Sequence, residues 1–392
     1  MPKKDLFLKT FKNFNLPAQI QKALEKIQFS QPTPIQSQAI PVALERKDLI
    51  GCAQTGTGKT GAFSIPTLNH LLSHPNEIAL VLVPTRELAL QVEEFWKKIT
   101  SFCPQIQSVT LMGGVPFGSQ LRALKKSPRL IIATPGRLVD HLERRNVRLN
   151  HAKTLILDEA DRMLDMGFLP QLSKILEALP KDRQTLLFSA TWEKEVDKLS
   201  QRFVRSPERV TAGTVSQAAP KISQSMLEIT QQKKNEALLD ELNRREGSIL
   251  VFARTQVRTD RLARYLHSYG FDVNRLHGGR TQFQRTSALN AFRDGKVRIL
   301  IATDIAARGI DISEISHVIN YDLPQSPEDY IHRIGRTGRA GAVGSALSLV
   351  TPEDRSQWRQ ITRLLQKSGS KLPSSQGITQ AKGSVKAPQG LV

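Results

Sequence analysis

The chain has 392 residues, of which 39% are hydrophobic, so it can bury a sizeable core, and its length predicts two or three domains. No run of about 18 apolar residues could span a bilayer, and the N-terminus lacks the apolar segment of a signal peptide. Two cysteines, Cys52 and Cys103, cannot form a disulfide framework and have no Cys or His pair nearby for a metal. The composition argues against membrane and disulfide-rich secreted proteins, and we expect a cytoplasmic protein.

The charge balance is uneven, because 56 Lys and Arg residues outnumber 36 Asp and Glu residues for a formal net charge of +20. Such an excess favours polyanionic partners, since each Lys or Arg that contacts a phosphate releases condensed counterions. Nucleic acid is therefore the first partner that the charge predicts. A basic surface that only maintains solubility, or one that binds acidic lipid, is the alternative.

The first half of the chain alternates short apolar runs with helical patterns. The runs are rich in β-branched residues and have strand length; they lie at 49–52, 79–83, 130–133, 155–157 and 186–188. Helical patterns follow some of them, at 61–72 and 86–102. Runs of this kind predict a buried parallel sheet of βα units, in a domain that we place at residues 1–210.

The pattern stops at a small, polar stretch and then begins again. Residues 211–220 have no periodicity and predict a linker. New strand-length runs lie at 249–252, 272–276, 299–302, 318–320 and 346–350, with a helical pattern at 255–269 and a closing helix at 353–366. We therefore predict a second α/β domain at 221–366. Residues 367–392 carry few large apolar groups, which predicts a disordered basic tail.

A glycine-rich loop follows the first predicted strand and precedes a helix. Its sequence, AQTGTGKT at 53–60, ends like a phosphate loop, although Ala53 stands where the strict pattern has Gly. In this context Gly56 and Gly58 would let backbone N–H groups approach phosphate oxygens. Lys59 would reach the β- and γ-phosphates, and Thr60 would bind Mg²⁺. The alternative is a Gly-rich helix entry that binds nothing.

Acidic residues follow the apolar run at 155–157, where an α/β nucleotide site keeps its metal carboxylate. We expect Asp158 to hold Mg²⁺ through water and Glu159 to orient and deprotonate the attacking water. An acidic helix N-terminus would explain the cluster by itself. Its pairing with a phosphate loop about 100 residues earlier in the chain favours a nucleotide hydrolase.

The second predicted domain contains arginines spaced by glycines in the segment HRIGRTGR at 332–339. Guanidinium groups suit a γ-phosphate, so Arg336 and Arg339 are our candidates for arginine fingers. Hydrolysis would then require the cleft between the two domains to close. The alternative is an arginine cluster that binds only a nucleic-acid backbone.

Together these motifs resemble a known family, the DEAD-box ATP-dependent RNA helicases of helicase superfamily two. The segment Asp158 to Asp161 spells DEAD, and the family's loop begins with Ala, as Ala53 does here. The other motifs appear in family order: PTPIQ at 32–36, PTREL at 84–88, Gly113-Gly114, TPGR at 134–137, Ser189-Ala190-Thr191, ATDIAARGID at 302–311 and HRIGRTGR. The resemblance covers about residues 7–365, and details such as SPEDY at 326–330 resemble the RhlE-like branch.

This resemblance implies two tandem RecA-like domains, each a parallel sheet flanked by helices. It implies an RNA-dependent ATPase that uses ATP and Mg²⁺, binds single-stranded RNA and short duplexes, and locally unwinds RNA or remodels RNA–protein complexes. A monomer is expected, with ribosomal or RNA-decay proteins as candidate partners. A DNA-translocating helicase and a nucleotide-gated RNA clamp with negligible hydrolysis are the alternatives.

The resemblance also implies roles for individual residues. The expected ATP contacts are Phe11, Phe29, Gln36, Ala53, Gln54, Thr55, Gly56, Thr57, Gly58, Lys59, Thr60, Gly309, Asp311, Arg336 and Arg339. The expected RNA contacts are Pro84, Thr85, Arg86, Gly113, Gly114, Thr134, Gly136, Arg137, Gln282, Arg285 and Thr303. The expected coupling residues are Asp161, Ser189, Thr191 and His332.

Two positions depart from the family pattern. Gln28 stands before Phe29, where most members have Gly, although the aromatic residue and Gln36 are intact. One family motif usually contains a Phe followed by Asn-Thr, and the corresponding segment of this chain is Phe252-Ala253-Arg254-Thr255. The RNA contact at this second motif is therefore expected to differ from that of other members.

Overall fold

The computed structural model describes residues 10–53, 56–192, 194–211, 222–307, 315–338, 343–367 and 372–376. The chain divides into two compact units, residues 1–215 and 216–392. Each unit contains one seven-stranded sheet flanked by helices, as the sequence predicts for tandem RecA-like domains. Within the described part of the chain, no helix is both long enough and apolar enough to cross a membrane.

The first unit has its strands in the order β3-β4-β2-β5-β6-β1-β7, and every pairing is parallel. The strands are β1 (Leu49–Cys52), β2 (Ile78–Leu82), β3 (Ser108–Leu111), β4 (Leu130–Ala133), β5 (Ala152–Leu157), β6 (Gln184–Ser189) and β7 (Glu208–Thr211). A short 3-10 helix at Phe11–Phe14 precedes the helices α1 (Ala18–Lys26), α2 (Pro34–Leu44), α3 (Lys59–Ser73), α4 (Arg86–Ile99), α5 (Phe117–Leu124), α6 (Pro135–Glu143), α7 (Ala160–Asp165), α8 (Leu169–Ala178) and α9 (Lys194–Phe203).

Both faces of this sheet are buried, because successive strand residues point to opposite sides. Ala79 and Val81 of β2 belong to the core formed with α1 to α4. Leu80 and Leu82 belong to the core formed with α6 to α9. This two-sided burial is why the strands appear in the sequence as continuous apolar runs rather than as alternating ones.

The second unit repeats the design with the order β10-β11-β9-β12-β13-β8-β14, again parallel throughout. The strands are β8 (Ile222–Glu228), β9 (Ile249–Phe252), β10 (Val273–Leu276), β11 (Ile299–Ala302), β12 (His317–Asn320), β13 (Gly344–Val350) and β14 (Ser374–Gln376). The helices are α10 (Lys234–Arg244), α11 (Gln256–Ser268), α12 (Gln282–Arg293), α13 (Asp304–Ala307), α14 (Pro327–Ile334) and α15 (Arg355–Lys367), with 3-10 turns at Gln231–Lys233 and Pro352–Asp354.

All ten strands predicted from apolar runs are present, and four others were missed. The missed strands β3, β7, β8 and β14 carry polar residues, as in the SVTL of β3 and the ISQSMLE of β8. Strand β14 corrects the prediction that the whole of 367–392 is a disordered tail, since it pairs in parallel with β8. The pairing uses backbone groups, which an apolar-run criterion does not detect. Residues 368–371, 377–392 and most of the predicted linker (212–220) lie outside the described residues.

Helix α1 ends in a left-handed residue that precedes the expected adenine-site aromatic. Gln28 has φ +58°, its N–H donates to the carbonyl of Glu25 at 3.0 Å, and the N–H of Phe29 donates to that of Leu24 at 2.8 Å. Glycine is the usual residue at this position of a helix end, because a Cβ is strained there. The Gly that most family members have at this position thus has a conformational reason.

We expect Gln28→Gly to raise the free energy of unfolding by about 0.5–1 kcal/mol, the relief of left-handed strain less the entropy of Gly. Chemical denaturation measures this difference. Lys22→Gly, at an exposed helical position of α1, is the matched control and should lower stability by about 1 kcal/mol. Equal losses in both variants would contradict the strain at Gln28.

Candidate nucleotide and RNA site

The strand order of the first unit separates the expected ATP contacts from the expected RNA contacts. Because the sheet is parallel, the carboxyl ends of all strands lie at one edge. The loops after β5, β6 and β1, which are neighbours, carry the acidic motif, Ser-Ala-Thr and the phosphate loop. The loops after β3, β4 and β2, also neighbours, carry the glycine pair, TPGR and PTREL.

The phosphate loop has the backbone that close approach to phosphates requires. Gly56 has φ +85° and Gly58 has φ +93°, a region that Gly enters without strain. Lys59 begins α3, is buried, and donates from Nζ to the carbonyl of Ala53 at 2.7 Å. Ala53 itself is not left-handed, so its methyl group is compatible with the turn. In this structure the ammonium of Lys59 therefore lies across the mouth of the loop.

Other predicted nucleotide contacts are partly accessible or undescribed. Thr57 and Thr60 are half-buried. Five predicted residues lie outside the described part of the chain: Gln54, Thr55, Gly309, Asp311 and Arg339.

The two acids after β5 are buried side by side. Asp158 is 2% exposed and Glu159 is 4% exposed. Burial, opposed by Lys59 and reinforced by Glu159, raises the pKa of Asp158 to about 7. The N–H of Glu159 donates to Asp158 Oδ1 at 3.0 Å, and Glu159 adopts a left-handed backbone with φ +57°. Strain of this kind persists only where the surroundings enforce it, and it is common at functional sites.

Sequence reasoning missed the residue that holds Glu159. Arg162, one turn into α7, forms a buried ion pair with the Glu159 carboxylate. It lies three residues after Glu159, the spacing at which helical neighbours meet. The sequence signal that could have predicted this ion pair is a basic residue three positions after an acidic one at the start of a helix.

Asp161 connects the acidic motif to the end of β6. Its Oδ2 accepts hydrogen bonds from the N–H of Ala190 at 3.0 Å, the N–H of Thr191 at 2.9 Å and the Thr191 hydroxyl at 3.1 Å. Ser189 closes the turn by donating to the carbonyl of Thr191 at 2.6 Å. The hydrogen bonding toward the acidic motif that the resemblance implies for Ser-Ala-Thr is therefore present.

One of the expected adenine residues, Gln36, contacts the phosphate loop directly. Gln36, 1% exposed, accepts the N–H of Thr33 at 2.9 Å and donates from Nε2 to the carbonyl of Gly58 at 3.0 Å. An amide has two donor hydrogens and two acceptor lone pairs, so each end keeps capacity for a base edge. A Cβ added at Gly61 would come 2.7 Å from Gln36 Nε2.

Two aromatic rings stack beside this amide. The rings of Phe29 and Phe11 have centroids 5.8 Å apart and an interplanar angle of 29°. A Cβ on Gly61 would also lie 3.4 Å from the ring of Phe29. The structure thus brings Phe11, Phe29 and Gln36 together at the start of α3.

The expected RNA contacts of the first unit lie where helices begin. Thr85 caps α4 by accepting the N–H of Leu88 at 3.3 Å, directly after Pro84. Arg86 crosses to the glycine pair, since a Cβ on Gly113 would lie 2.8 Å from its Nη2. Gly114 is left-handed with φ +79°. Backbone amides and arginine side chains at such positions bind phosphate and sugar rather than bases.

The TPGR segment lies against the same glycine loop. Thr134 precedes α6 and donates its N–H to the carbonyl of Leu111 at 3.0 Å. Arg137 donates to the carbonyl of Val115 at 3.2 Å. Gly136 has open space where a Cβ would be. The three loops that follow β3, β4 and β2 therefore contact one another.

In the second unit, the expected RNA contacts lie at the starts of α12 and α13. Gln282 is the first residue of α12, and Arg285, three residues later, is 7% exposed. Thr303 directly follows β11, is 8% exposed, and donates its N–H to the carbonyl of Leu276 at the end of β10. The ends of these two adjacent strands thus gather the expected contacts at the carboxyl edge of the second sheet.

The arginines of HRIGRTGR have different surroundings. Arg333, 2% exposed, forms a bidentate ion pair with Asp304 at 2.5 and 2.7 Å and donates to Asn320 Oδ1 at 3.0 Å. Arg336 is 5% exposed and donates from Nε to the carbonyl of His332 at 3.2 Å. The sequence analysis gave Arg333 no role, because its partners Asp304 and Asn320 lie 29 and 13 residues away in the chain.

The predicted Mg²⁺ ligands fit what that ion accepts. Within the described residues, no group of three or more His, Cys, Asp or Glu side chains could hold a metal. The predicted set is smaller, one hydroxyl at Thr60 and one carboxylate at Asp158, in loops after β1 and β5. Mg²⁺ keeps several waters and binds substrate phosphates, so one or two protein oxygens suffice.

Comparisons with known proteins give a consistent result. Residues 33–199 match the family model of the DEAD/DEAH box helicases, and residues 233–341 match that of the helicase conserved C-terminal domain. The DEAD-box ATP-dependent RNA helicase CshA of Bacillus subtilis (strain 168) is 45% identical over 354 residues, which are 90% of this chain and 72% of the relative. CshA of Geobacillus kaustophilus is 44% identical, covering 90% of this chain and 76% of the relative.

A solved structure extends the similarity to the fold. S. cerevisiae Dbp5 bound to RNA and ADP BeF3 has a TM-score of 0.84 at 31% identity, covering 94% of this chain and 96% of that chain. The two bacterial relatives carry the name CshA. The RhlE-like branch that sequence details favoured is therefore not confirmed.

The raised pKa of Asp158 predicts a pH-dependent stability. Folding raises this pKa from 3.8 to about 7, so between these pH values the carboxyl is ionised in the unfolded chain but protonated in the folded protein. The free energy of unfolding therefore falls as pH rises through this window. Asp158→Asn keeps an oxygen that can accept the N–H of Glu159 but cannot ionise. Its stability advantage over the unsubstituted protein should grow by at most about 1.4 kcal/mol per pH unit between pH 4 and pH 7. Denaturant unfolding without nucleotide measures it.

Asp182→Asn is the control for this experiment. Lys153 lowers the pKa of Asp182, which is exposed, so this substitution should show a small effect of the opposite sign. A stability difference for Asp158→Asn that stayed constant with pH would contradict the raised pKa.

Proposed function

The chain belongs to the DEAD-box ATP-dependent RNA helicases, and from that premise we propose how its residues divide the work. The protein is an RNA-dependent ATPase that couples ATP use to RNA unwinding. The observation that carries our assignment is the order of strand ends in the first unit. The phosphate loop, the acids and Ser-Ala-Thr follow the neighbouring strands β1, β5 and β6. The loops that are expected to bind the RNA backbone follow β2, β4 and β3, which are also neighbours.

For ATP, we propose that Lys59 leaves the carbonyl of Ala53 and donates to the β- and γ-phosphates. Mg²⁺, held through Thr60 and Asp158, would supply positive charge to the phosphates when bound. Glu159, held by Arg162, accepts the proton of the attacking water. Arg336 of the second unit stabilises charge on the transferred phosphoryl group, the role that the resemblance implies.

For RNA, we propose that the loops at 84–86, 113–114 and 134–137 bind phosphates and sugars, with Gln282, Arg285 and Thr303 contributing from the second unit. Contacts of this type read no base sequence. Asp161, Ser189, Thr191 and His332 are proposed to link the ATP state to RNA binding; the three hydrogen bonds to Asp161 support this for the first unit. A cytoplasmic monomer with ribosomal or RNA-decay partners completes the proposal.

Glu159→Gln tests the catalytic assignment. We expect RNA-stimulated kcat for ATP to fall about 10²- to 10⁴-fold, because the amide cannot accept the proton of water. Phosphate release is measured without nucleic acid, with single-stranded RNA and with DNA of the same sequence. Glu94→Gln, an exposed acid paired with Lys98 on α4, is the control and should retain activity.

Other outcomes of this assay would contradict the proposal in distinct ways. Stimulation by DNA equal to that by RNA would favour a DNA-translocating enzyme. RNA and ATP that bind together without stimulating hydrolysis would favour a nucleotide-gated clamp.

Gly61→Ala tests the adenine assignment. The added methyl group would displace Gln36, so we expect KM for ATP to rise about 5- to 10-fold, the loss of roughly one hydrogen bond, and KM for GTP to change less. Gly118→Ala is the control, because its Cβ would meet only Arg122 at 3.8 Å. An unchanged preference for ATP over GTP in Gly61→Ala would exclude Gln36 as the reader of the base.

A further inference from the structure

The start of helix α12 carries an aromatic ring that the fold does not use. Phe283 is 82% exposed, more than any other large hydrophobic side chain of the described residues. Leaving it exposed forgoes the stabilisation that burial of such a side chain contributes. Phe102 is 41% exposed but holds the ammonium of Lys26 5.6 Å from its ring centroid. For Phe283, no ring or cation contact is found in the described part of the chain.

The exposure of Phe283 follows from the register of the helix. Arg285, Ala288, Leu289 and Phe292 form the buried face of α12. Phe283 shares the opposite face with Ser287 and Asn290, which are exposed. The ring therefore cannot reach the core without rotation of the whole helix, and a polar residue would serve the fold equally well at this position.

The ring lies next to one residue that we propose to contact RNA. Gln282 precedes Phe283 in the chain, with Cα atoms about 3.8 Å apart, whereas Arg285, in the same turn, belongs to the buried face. The segment 277–293 contains Arg280, Arg285 and Arg293 but neither Asp nor Glu. An exposed aromatic ring in a basic, acid-free segment has the composition of a single-strand binding surface.

A second exposed apolar side chain lies at the same edge of the sheet. Val257, in the first turn of α11, is 68% exposed. Its neighbour Gln256 packs against the loop that leads to α12, because a Cβ on Gly279 would lie 2.7 Å from Gln256 Oε1. Arg254 and Arg258, at the start of α11, have 41% and 39% of their side chains accessible and form ion pairs with Asp354 and Asp322 respectively. The starts of α11 and α12 thus carry exposed apolar side chains among basic ones.

We propose that Phe283 is a stacking platform for one base of bound single-stranded RNA. A phosphate held by Gln282, the residue before Phe283 at the start of the helix, places its nucleotide beside the ring. Stacking accepts any base because every base has a flat π-face. The segment 277–293, which carries three Arg residues and no acid, favours a polyanion over a protein partner. This inference rests on the proposed role of Gln282 and Arg285, and it adds a base contact to a site that otherwise grips the backbone.

The test is equilibrium binding of a short fluorescent single-stranded RNA to the full chain with a non-hydrolysable ATP analogue. Phe283→Ala should weaken binding about 5- to 150-fold, the range that loss of one base–aromatic stack gives. Phe283→Trp should bind within about twofold of the unsubstituted protein, since Trp offers a larger stacking face. The dependence of affinity on salt should not change, because no phosphate contact is removed.

Abasic RNA separates stacking from an indirect effect. The same RNA is made with a single base removed at each position in turn. One position should weaken binding to the unsubstituted protein and have no further effect on Phe283→Ala, because the ring and the base form one interaction. A loss in Phe283→Ala that stays the same at every abasic position would overturn the proposal.

Two further variants keep the outcomes distinct. Val343→Ala removes an apolar side chain that is 81% exposed before β13, at the opposite edge of the second sheet, and should not change RNA affinity. Arg285→Gln tests the proposed RNA contact itself. If Arg285→Gln weakens binding and Phe283→Ala does not, the platform is wrong and the proposed function stands. If neither variant weakens binding, both assignments fail for this part of the second unit.

Discussion

The parallel alignment of every strand is the constraint on which the rest of this protein depends. A parallel sheet needs a crossover after each strand, and it gathers all the following loops at one edge. In both units, the described helices pack against both faces of the sheet. The motifs are spread over more than 300 residues of sequence. Among the described residues, those that directly follow strands, such as Asp158 after β5 and Thr303 after β11, lie at the carboxyl edge of their own sheet.

Within the first unit, the hydrogen bonds and ion pairs of the acidic motif join neighbouring loops. Glu159 is held by Arg162, and Asp161 is held by the turn after β6. Gln36 reaches from α2 to the carbonyl of Gly58 in the phosphate loop. A change at Asp161 therefore alters the hydrogen bonds of the turn after β6, and a change at Gln36 alters those of the phosphate loop.

The acidic motif also shows a conflict between stability and function. Asp158 is buried with a raised pKa, and Glu159 has a strained backbone, so both residues cost the folded state free energy. A hydrophobic core alone would favour neither arrangement. Buried acids next to a lysine would bind a cation and phosphates strongly, because charges interact strongly where water is excluded.

The sequence alone determined much about this protein. Two-sided burial turns most of the strands into apolar runs, and phosphate chemistry demands glycine, lysine and acids at fixed spacings. Ten strands and motifs such as AQTGTGKT and DEAD can therefore be identified from the sequence. The polar strands β3, β7, β8 and β14 were not, because backbone pairing stabilises them and leaves no apolar pattern. Only the tertiary structure shows that Arg333 forms an ion pair with Asp304, whereas the nearby Arg336 donates to the carbonyl of His332. Only the tertiary structure pairs Arg162 with Glu159. Residue type follows local chemistry, whereas the partner of a charged side chain depends on which distant strands lie side by side.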